Sequence, residues 1–455
     1  MDDRLLEREI NMLENHDSKV RMGALFTGAC AVLLAACGNE SGAGPGGMGT
    51  ESGESDGDGE TIQLNIMQGK VEFNEQFNEL ADQYMEENEN VQIEITSVGG
   101  GTDYFTQLTT RFSSGDEPDI FSVAGPNEIE QFQDTMADMS DTEAADAALE
   151  GTIENVTHDD GRIDAIPYNL EGYGFIYNKE VLEQAGVNPE ELSTYEELQE
   201  AVETIDSQKE DLGIEAVFAL PGAESWVMGD HLANVYLSPE LNENPVDAYN
   251  AESLAFERAD EFKNMLDLQA EYSIEPVLSL DYSQQVEEYF SLGEVAMIQQ
   301  GNWIYPTLEQ MDPEFAESNV GMIPIPLEGY EDQLPVGVPN YWAVNSNNDD
   351  ATVQAAKDFL DWMYLSDEGK EFVVSEFNFV PAYEGYEDME INDPLSQTVY
   401  DYSQNGETLG WVFTGFPTGY QLNEFGPNLQ AYLGGNMSWE EAIEASKQAW
   451  ESMRQ

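Results

Sequence analysis

The sequence predicts an α/β protein built on open sheets and divided into two domains. Three observations carry that reading: a β-α-β-α-β alternation where the folded part begins, strand and helix patterns that recur to the end, and a length beyond one ordinary core. Ile62–Met67 reads as a strand, and Phe73, Phe77, Leu80 and Tyr84 follow at helical spacing. Val91–Val98 alternates apolar and polar residues as a half-buried strand does. Asp103–Ser114 is a second helix, carrying Phe105, Leu108 and Phe112, and "DIFSVA" from Asp119 is the third strand. Further strands are expected at Phe175–Tyr177, Ile214–Leu220, Val295–Gln299 and Tyr341–Asn345. Helices are expected at Tyr195–Ile205, Ala251–Tyr272, Ala351–Tyr364 and Trp439–Met453.

Ahead of these elements the chain is of another kind. The apolar run Gly23–Ala36 is shorter than the roughly 20 residues that cross a bilayer, and Thr27 and Gly28 break it. Behind the basic flank of Lys19 and Arg21 it fits the core of an export signal, with Met12 as an alternative start to the acidic opening. Leu34-Ala35-Ala36-Cys37 resembles the lipobox of exported lipoproteins. That resemblance makes residues 1–36 a removed leader, Cys37 the lipid-bearing first residue, and the outer face of the cytoplasmic membrane the location. Residues 37–60 are glycine, serine and acid with little to bury, a solvated tether. Cys30 falls in the leader, so no internal disulfide or cysteine metal site is expected. Roughly 395 residues remain, which favours two domains.

Lysine and arginine total 15 against 92 aspartate and glutamate, a formal net charge of −77. Nucleic acid needs a basic footprint and is excluded as a partner. Hydrophobic residues at 41% exclude disorder, so the acids form the surface of a folded protein, as expected of a protein adapted to brine, where salt screens their repulsion.

Four segments carry a family resemblance: "FSSGDEPDIF" (112–121), "GRIDAIPYNLEGYGFIYNKEVLEQAG" (161–186), "YFSLGEVAMIQQGNWIY" (289–305) and "FLDWMYLSDEGKEFV" (359–373). In order and spacing they resemble the extracellular solute-binding proteins, family 1, that deliver sugars to ABC importers. The resemblance implies a type II, two-lobed periplasmic-binding-protein-like fold with an open sheet in each lobe, a hinge and an interlobe ligand cleft. It assigns 61–166 and 294–344 to the first lobe, and 167–293 and 345–455 to the second. Crossings are expected near Pro167–Gly174 and Gly337–Asn345. Laid on the maltose-binding pattern, Lys70 resembles the cleft lysine, Glu171 the acidic sugar ligand and Trp303 a stacking tryptophan, with Trp226 near an aromatic ligand. Pro126 and Asn127 replace an acid and an arginine of that pattern, and its last cleft tryptophan falls near Tyr420 or Leu422. Sugar binding is therefore expected more firmly than maltose. The partners implied are a saccharide, the permease subunits and, through Cys37, the membrane, with a monomer expected.

The residues support the same chemistry directly. A pyranose offers a C–H face to a flat ring and a rim of hydroxyls to charged or amide groups. One stack hides about 50 Å² at about 25 cal/mol per Å², worth about 1 kcal/mol, and a hydrogen bond to a charged group adds about 1.5–3. Loops after strand ends form the crevice in open α/β sheets. They place Lys70, Asn302 and Trp303 there, with Glu171, Tyr173, Trp226, Tyr341 and Trp411 as further candidates. Lys70 is also one of few basic residues, and pairing with an acid is its bland alternative. Asp119 reads as a strand anchor. No catalytic residue, cofactor or metal is expected: GxSxG, HExxH and GxxxxGK[ST] are all missing from the sequence. The rivals are a glycoside hydrolase working with two carboxylates and a receptor of the same fold for a polyamine or another non-sugar solute.

Overall fold

A computed structural model describes residues 61–455 apart from 72, 100, 101, 150 and 159, so the leader, Cys37 and the tether lie outside the described residues. The first sheet begins with β1 (Ile62–Gln68), β2 (Val91–Ser97) and β3 (Ile120–Val123), with β1 parallel to both others. β4 (Ile166–Pro167) ends the chain's first visit to it. The helices Asn74–Glu87 and Thr102–Ser114 make the connections, as the alternation predicts. Phe77, Leu80 and Tyr84 turn one face of the first helix inward. Asp119 is the anchor expected: its Oδ2 accepts from the Asn65 backbone N–H at 2.6 Å, and its Oδ1 from Asn348 Nδ2 at 2.8 Å.

The chain then crosses through residues 168–170 into β5 (Glu171–Asn178), the central strand of a six-stranded sheet. β6 (Ala216–Phe218), β7 (Val295–Gly301), β8 (Val320–Ile323) and β9 (Leu334–Gly337) join it, with β7, β8 and β9 all antiparallel to β5. Residues 338–340 lead back to β10 (Tyr341–Val344), which lies antiparallel between β3 and β4. The order is β2-β1-β3-β10-β4 in the first sheet. In the second it is β11-β9-β5-β7-β6, with β11 (Thr408–Gly410) at the edge and β8 on β5.

This corrects the expected lobe boundaries. The span 294–344 was assigned to the first lobe, yet β7, β8 and β9 belong to the second sheet because β5 is their pairing partner, and only β10 returns. The helix Asp350–Leu365, assigned to the second lobe, packs Ala355, Ala356, Phe359 and Leu360 into the core under the first sheet. A third, unexpected crossing follows between 377 and 393, before the helix Pro394–Asn405 packs on β5, β8 and β9.

The chain thus passes between the two sheets at 168–170, at 338–340 and between 377 and 393, and hydrogen bonds tie the three passages together. Tyr168 N–H donates to Asn340 C=O at 2.9 Å and Leu170 N–H to Val380 C=O at 2.8 Å. Tyr168 also stacks on the buried Trp342, centroids 4.1 Å apart, whose Nε1–H donates to Tyr364.

The helix expected from Ala251 starts only at Ala259. The preceding backbone is held in another shape, because the Glu240 carboxylate accepts N–H groups of Ala255, Phe256 and Glu257. Such side-chain capture of the backbone competes with a helical ladder. The last helix, Trp439–Met453, has the predicted bounds, set by a Ser438/Glu441 capping box.

Candidate functional site

The segment that follows β3 borders a crevice between the two sheets, a position at which open α/β sheets bind ligands. A cavity of about 720 Å³ lies there. One wall comes from the first-sheet side: Phe105, Thr106, Ala124, Gly125, Asn127 and Glu128. The other comes from a π-helical turn at Val227–Leu232 and the loop after β11: Trp226, Asp230, Phe413, Thr414, Gln421 and Asn423. Four aromatic residues, Phe416 being the fourth, with amides, hydroxyls and two carboxyls between them suit a polyhydroxylated ligand. A recess of about 390 Å³ at Tyr195, Tyr236 and Glu261 lies on the second-sheet side alone.

The two cavity carboxyls have raised pKa values. Burial pushes Asp230 up to about 8. Glu128 is raised by burial too, tempered by the Ala124 N–H that donates to its Oε2 at 2.8 Å. Behind them His231 is the hub of an aromatic cluster. Tyr173 stacks on it at 4.4 Å, Trp226 meets it edge-on at 5.1 Å, and Trp303 and Phe413 lie at 5.1 and 5.4 Å. Burial holds its imidazole down to about 3, so it is a neutral packing surface at ordinary pH.

The expected site residues divide into four groups. Trp226 lines the large cavity, half-buried, with its Nε1–H on Glu224 at 3.2 Å. Lys70 and Glu171 sit at neighbouring ends of β1 and β5 and pair with each other, and Lys70 also lies 5.2 Å over the Phe379 ring. Tyr341 and Trp411 line a smaller cavity of about 70 Å³ between the sheets.

The remaining three turn away from the large cavity. Tyr173 is fully buried on the central strand, with its hydroxyl on the His231 carbonyl at 2.9 Å. Asn302 is 4% exposed and engaged at both ends: its Oδ1 accepts from Gly172 N–H at 3.1 Å and its Nδ2 donates to Ser396 at 3.0 Å. Trp303 is half-buried, folded over Gly301 with its Nε1–H on Gln300 at 3.1 Å. For Tyr173 and Asn302 the expectation of ligand contact is corrected to packing and strand-end hydrogen bonding.

Sequence reasoning missed Asp230, Glu128, Phe105 and Phe413. Phe413 had a signal, two residues beyond Trp411 in "GWVFTGF". One carboxylate among 92 acids had none.

Two α/β lobes linked by three crossing segments, with a cavity walled from both, define a two-lobed solute receptor. Residues 70–370 match the family described as bacterial extracellular solute-binding proteins, and the chain belongs to that family. It is similar to the melibiose/raffinose/stachyose-binding protein MelE of Bacillus subtilis, 22% identical over 348 residues, or 72% of this chain and 78% of that protein. The apo form of RafE from Streptococcus pneumoniae superposes with a TM-score of 0.71 at 16% identity, covering 88% of this chain and all of that one. A sugar transporter from Bacillus licheniformis in complex with stachyose superposes at 0.65 with 21% identity, covering 86% of this chain and all of that one. Among the described residues no helix is long and apolar enough to cross a membrane.

Proposed function

We propose that this protein captures a di- or oligosaccharide outside the cell and hands it to the permease of an ABC importer. The observation that carries the reading is the 720 Å³ cavity, in which Trp226, Phe105 and Phe413 offer ring faces and Asp230, Asn127 and Gln421 offer polar edges from both lobes. Relatives named for melibiose, raffinose and stachyose support the same ligand class. A ligand touching both walls favours closure through its greater affinity for the closed state, with the three crossing segments as the hinge. Cys37, once lipidated, would hold the receptor at the membrane, and its replacement by serine would release it.

A thermal-shift screen in molar salt against melibiose, raffinose, stachyose and chitobiose tests this. A binder raises the melting temperature in proportion to RT ln(1 + [L]/Kd). Small-angle scattering should then show compaction, and the sugar should be recovered uncleaved. Silence across saccharides defeats the ligand class, compaction-free binding defeats closure, and cleavage favours a hydrolase.

A further inference from the structure

The large cavity is short of donors and rich in acceptors. Asn127 Nδ2 already donates to the Phe416 carbonyl at 2.7 Å, Gln421 Nε2 to Ser225 Oγ at 2.8 Å, and Trp226 Nε1–H to Glu224. No lysine, arginine or histidine lines the cavity, whereas Glu128 lines it from one wall and Asp230 from the other. Glu128 gives one oxygen to the Ala124 N–H.

Asp230 has no such partner. No donor among the described residues reaches its carboxyl, and burial raises its pKa with no hydrogen bond or charge opposing the rise. The group is nonetheless open to the cavity: the residue is only partly covered, and neither carboxyl oxygen is sealed from solvent. A carboxyl set deep in a wall and left unpaired by the chain calls for a donor on the ligand.

The rest of the lining says which donor. A hydroxyl brings one donor together with acceptors, a carboxylate brings acceptors alone, and an ammonium brings three donors and no acceptor. An opposite charge beside a buried carboxyl favours its ionised form, and the resulting charge-assisted bonds are roughly twice as strong as neutral ones. The rings of Trp226, Phe105 and Phe413, which suit a pyranose face, attract a cation as well. Lys70, which would oppose a cation in the cleft, is paired with Glu171 and does not line this cavity.

We infer that the cavity selects a saccharide bearing a free amine, a sugar unit of the glucosamine or galactosamine type, and that Asp230 sets this preference by pairing with the ammonium. It rests on the saccharide reading and narrows it: the amine form is taken over its hydroxyl counterpart, and uronates are rejected.

The test is calorimetry in molar salt with matched pairs that differ in amine against hydroxyl, the glucosamine disaccharide of chitosan against cellobiose and galactosamine against galactose, with melibiose and digalacturonate beside them. In at least one pair the amine form should bind about tenfold or more tighter, the scale of one hydrogen bond to a charged group, and digalacturonate should not bind. Asp230→Asn keeps the size of the side chain and removes its charge, and should reduce the preference to about twofold or less. The wild-type pairs stand even if the variant fails to fold. Binding of melibiose or of a hydroxyl form with no gain from the amine in either pair overturns the preference and leaves sugar binding intact, and a preference that survives in Asp230→Asn overturns the part given to Asp230. If no saccharide of the set binds, the saccharide reading fails and takes this one with it.

Discussion

Lys70 Nζ donates to Glu171 Oε1, tying the loop after β1 in the first sheet to the first residue of β5 in the second, with both side chains 11% exposed. Two residues singled out separately as ligand contacts thus satisfy each other between the two sheets. An ion pair so enclosed is screened little by salt, and removing one partner strands the other charge. Lys70→Met alone should cost about 3 kcal/mol, and adding Glu171→Leu should recover most of it, read as a double-mutant cycle from denaturant unfolding in molar salt. Additive losses would mean that the two do not act as a pair.

The tryptophans should separate by role. Trp226 and Phe413 line the large cavity, so alanine at either should weaken saccharide binding by about 1–3 kcal/mol, measured by calorimetry. Trp303 covers Gly301 and bonds Gln300, so Trp303→Ala should instead lower stability by about 2–4 kcal/mol. Binding lost with unchanged stability would return Trp303 to the cleft.

What the sequence made legible follows from the range of the forces involved. Apolar periodicity is local, so β1, β2, β3 and their helices were readable, as was the capped helix Trp439–Met453. β4, β8, β9 and β11 are two to four residues long and show no period, and Pro335 sits inside β9. Which sheet takes β7 is decided by pairing with β5, more than 100 residues earlier, and nothing in Val295–Gly301 encodes it. At the site, Trp226 and Trp411, which border cavities, could be singled out because large rings near glycines are conspicuous. Asp230 was hidden by composition, and Tyr173 misread because its neighbouring glycines belong to a buried strand rather than a loop.

The Asp230–His231 pair should give stability opposite pH slopes. Asp230 titrates at about 8 folded against about 3.9 unfolded, so the folded state holds the extra proton between those values and stability falls as pH rises through them. His231, held down to about 3 against 6.5, works the other way: its contribution is complete above pH 6.5 and is lost as pH falls toward 3. Asp393, raised to about 7 by burial, shares the first slope only to that pH. Between pH 7 and 8 wild type should therefore lose stability relative to Asp230→Asn, in chemical denaturation at constant salt. Parallel profiles would show Asp230 ionised in the folded state.

Salt dependence should follow from where the acids lie. On the helix Tyr195–Leu212, Leu198, Val202 and Ile205 face the core, while Glu196, Glu200, Glu203, Glu210 and Asp211 face solvent. Like charges three and four residues apart repel along the helix, and the whole chain's charge of −77 repels at longer range. The screening length is about 10 Å at 0.1 M salt and about 3 Å at 1 M, so most of this repulsion disappears in brine. The melting temperature should climb by about 10 °C or more between 0.1 and 2 M sodium chloride, several kcal/mol for a protein of this size. Changing Glu200, Glu203 and Glu210 to lysine should raise it in low salt and leave it nearly unchanged in high salt. A variant that gains equally in both would be stabilised by contacts rather than by relief of repulsion, and a wild-type curve flat in salt would remove the electrostatic reading of the surface altogether.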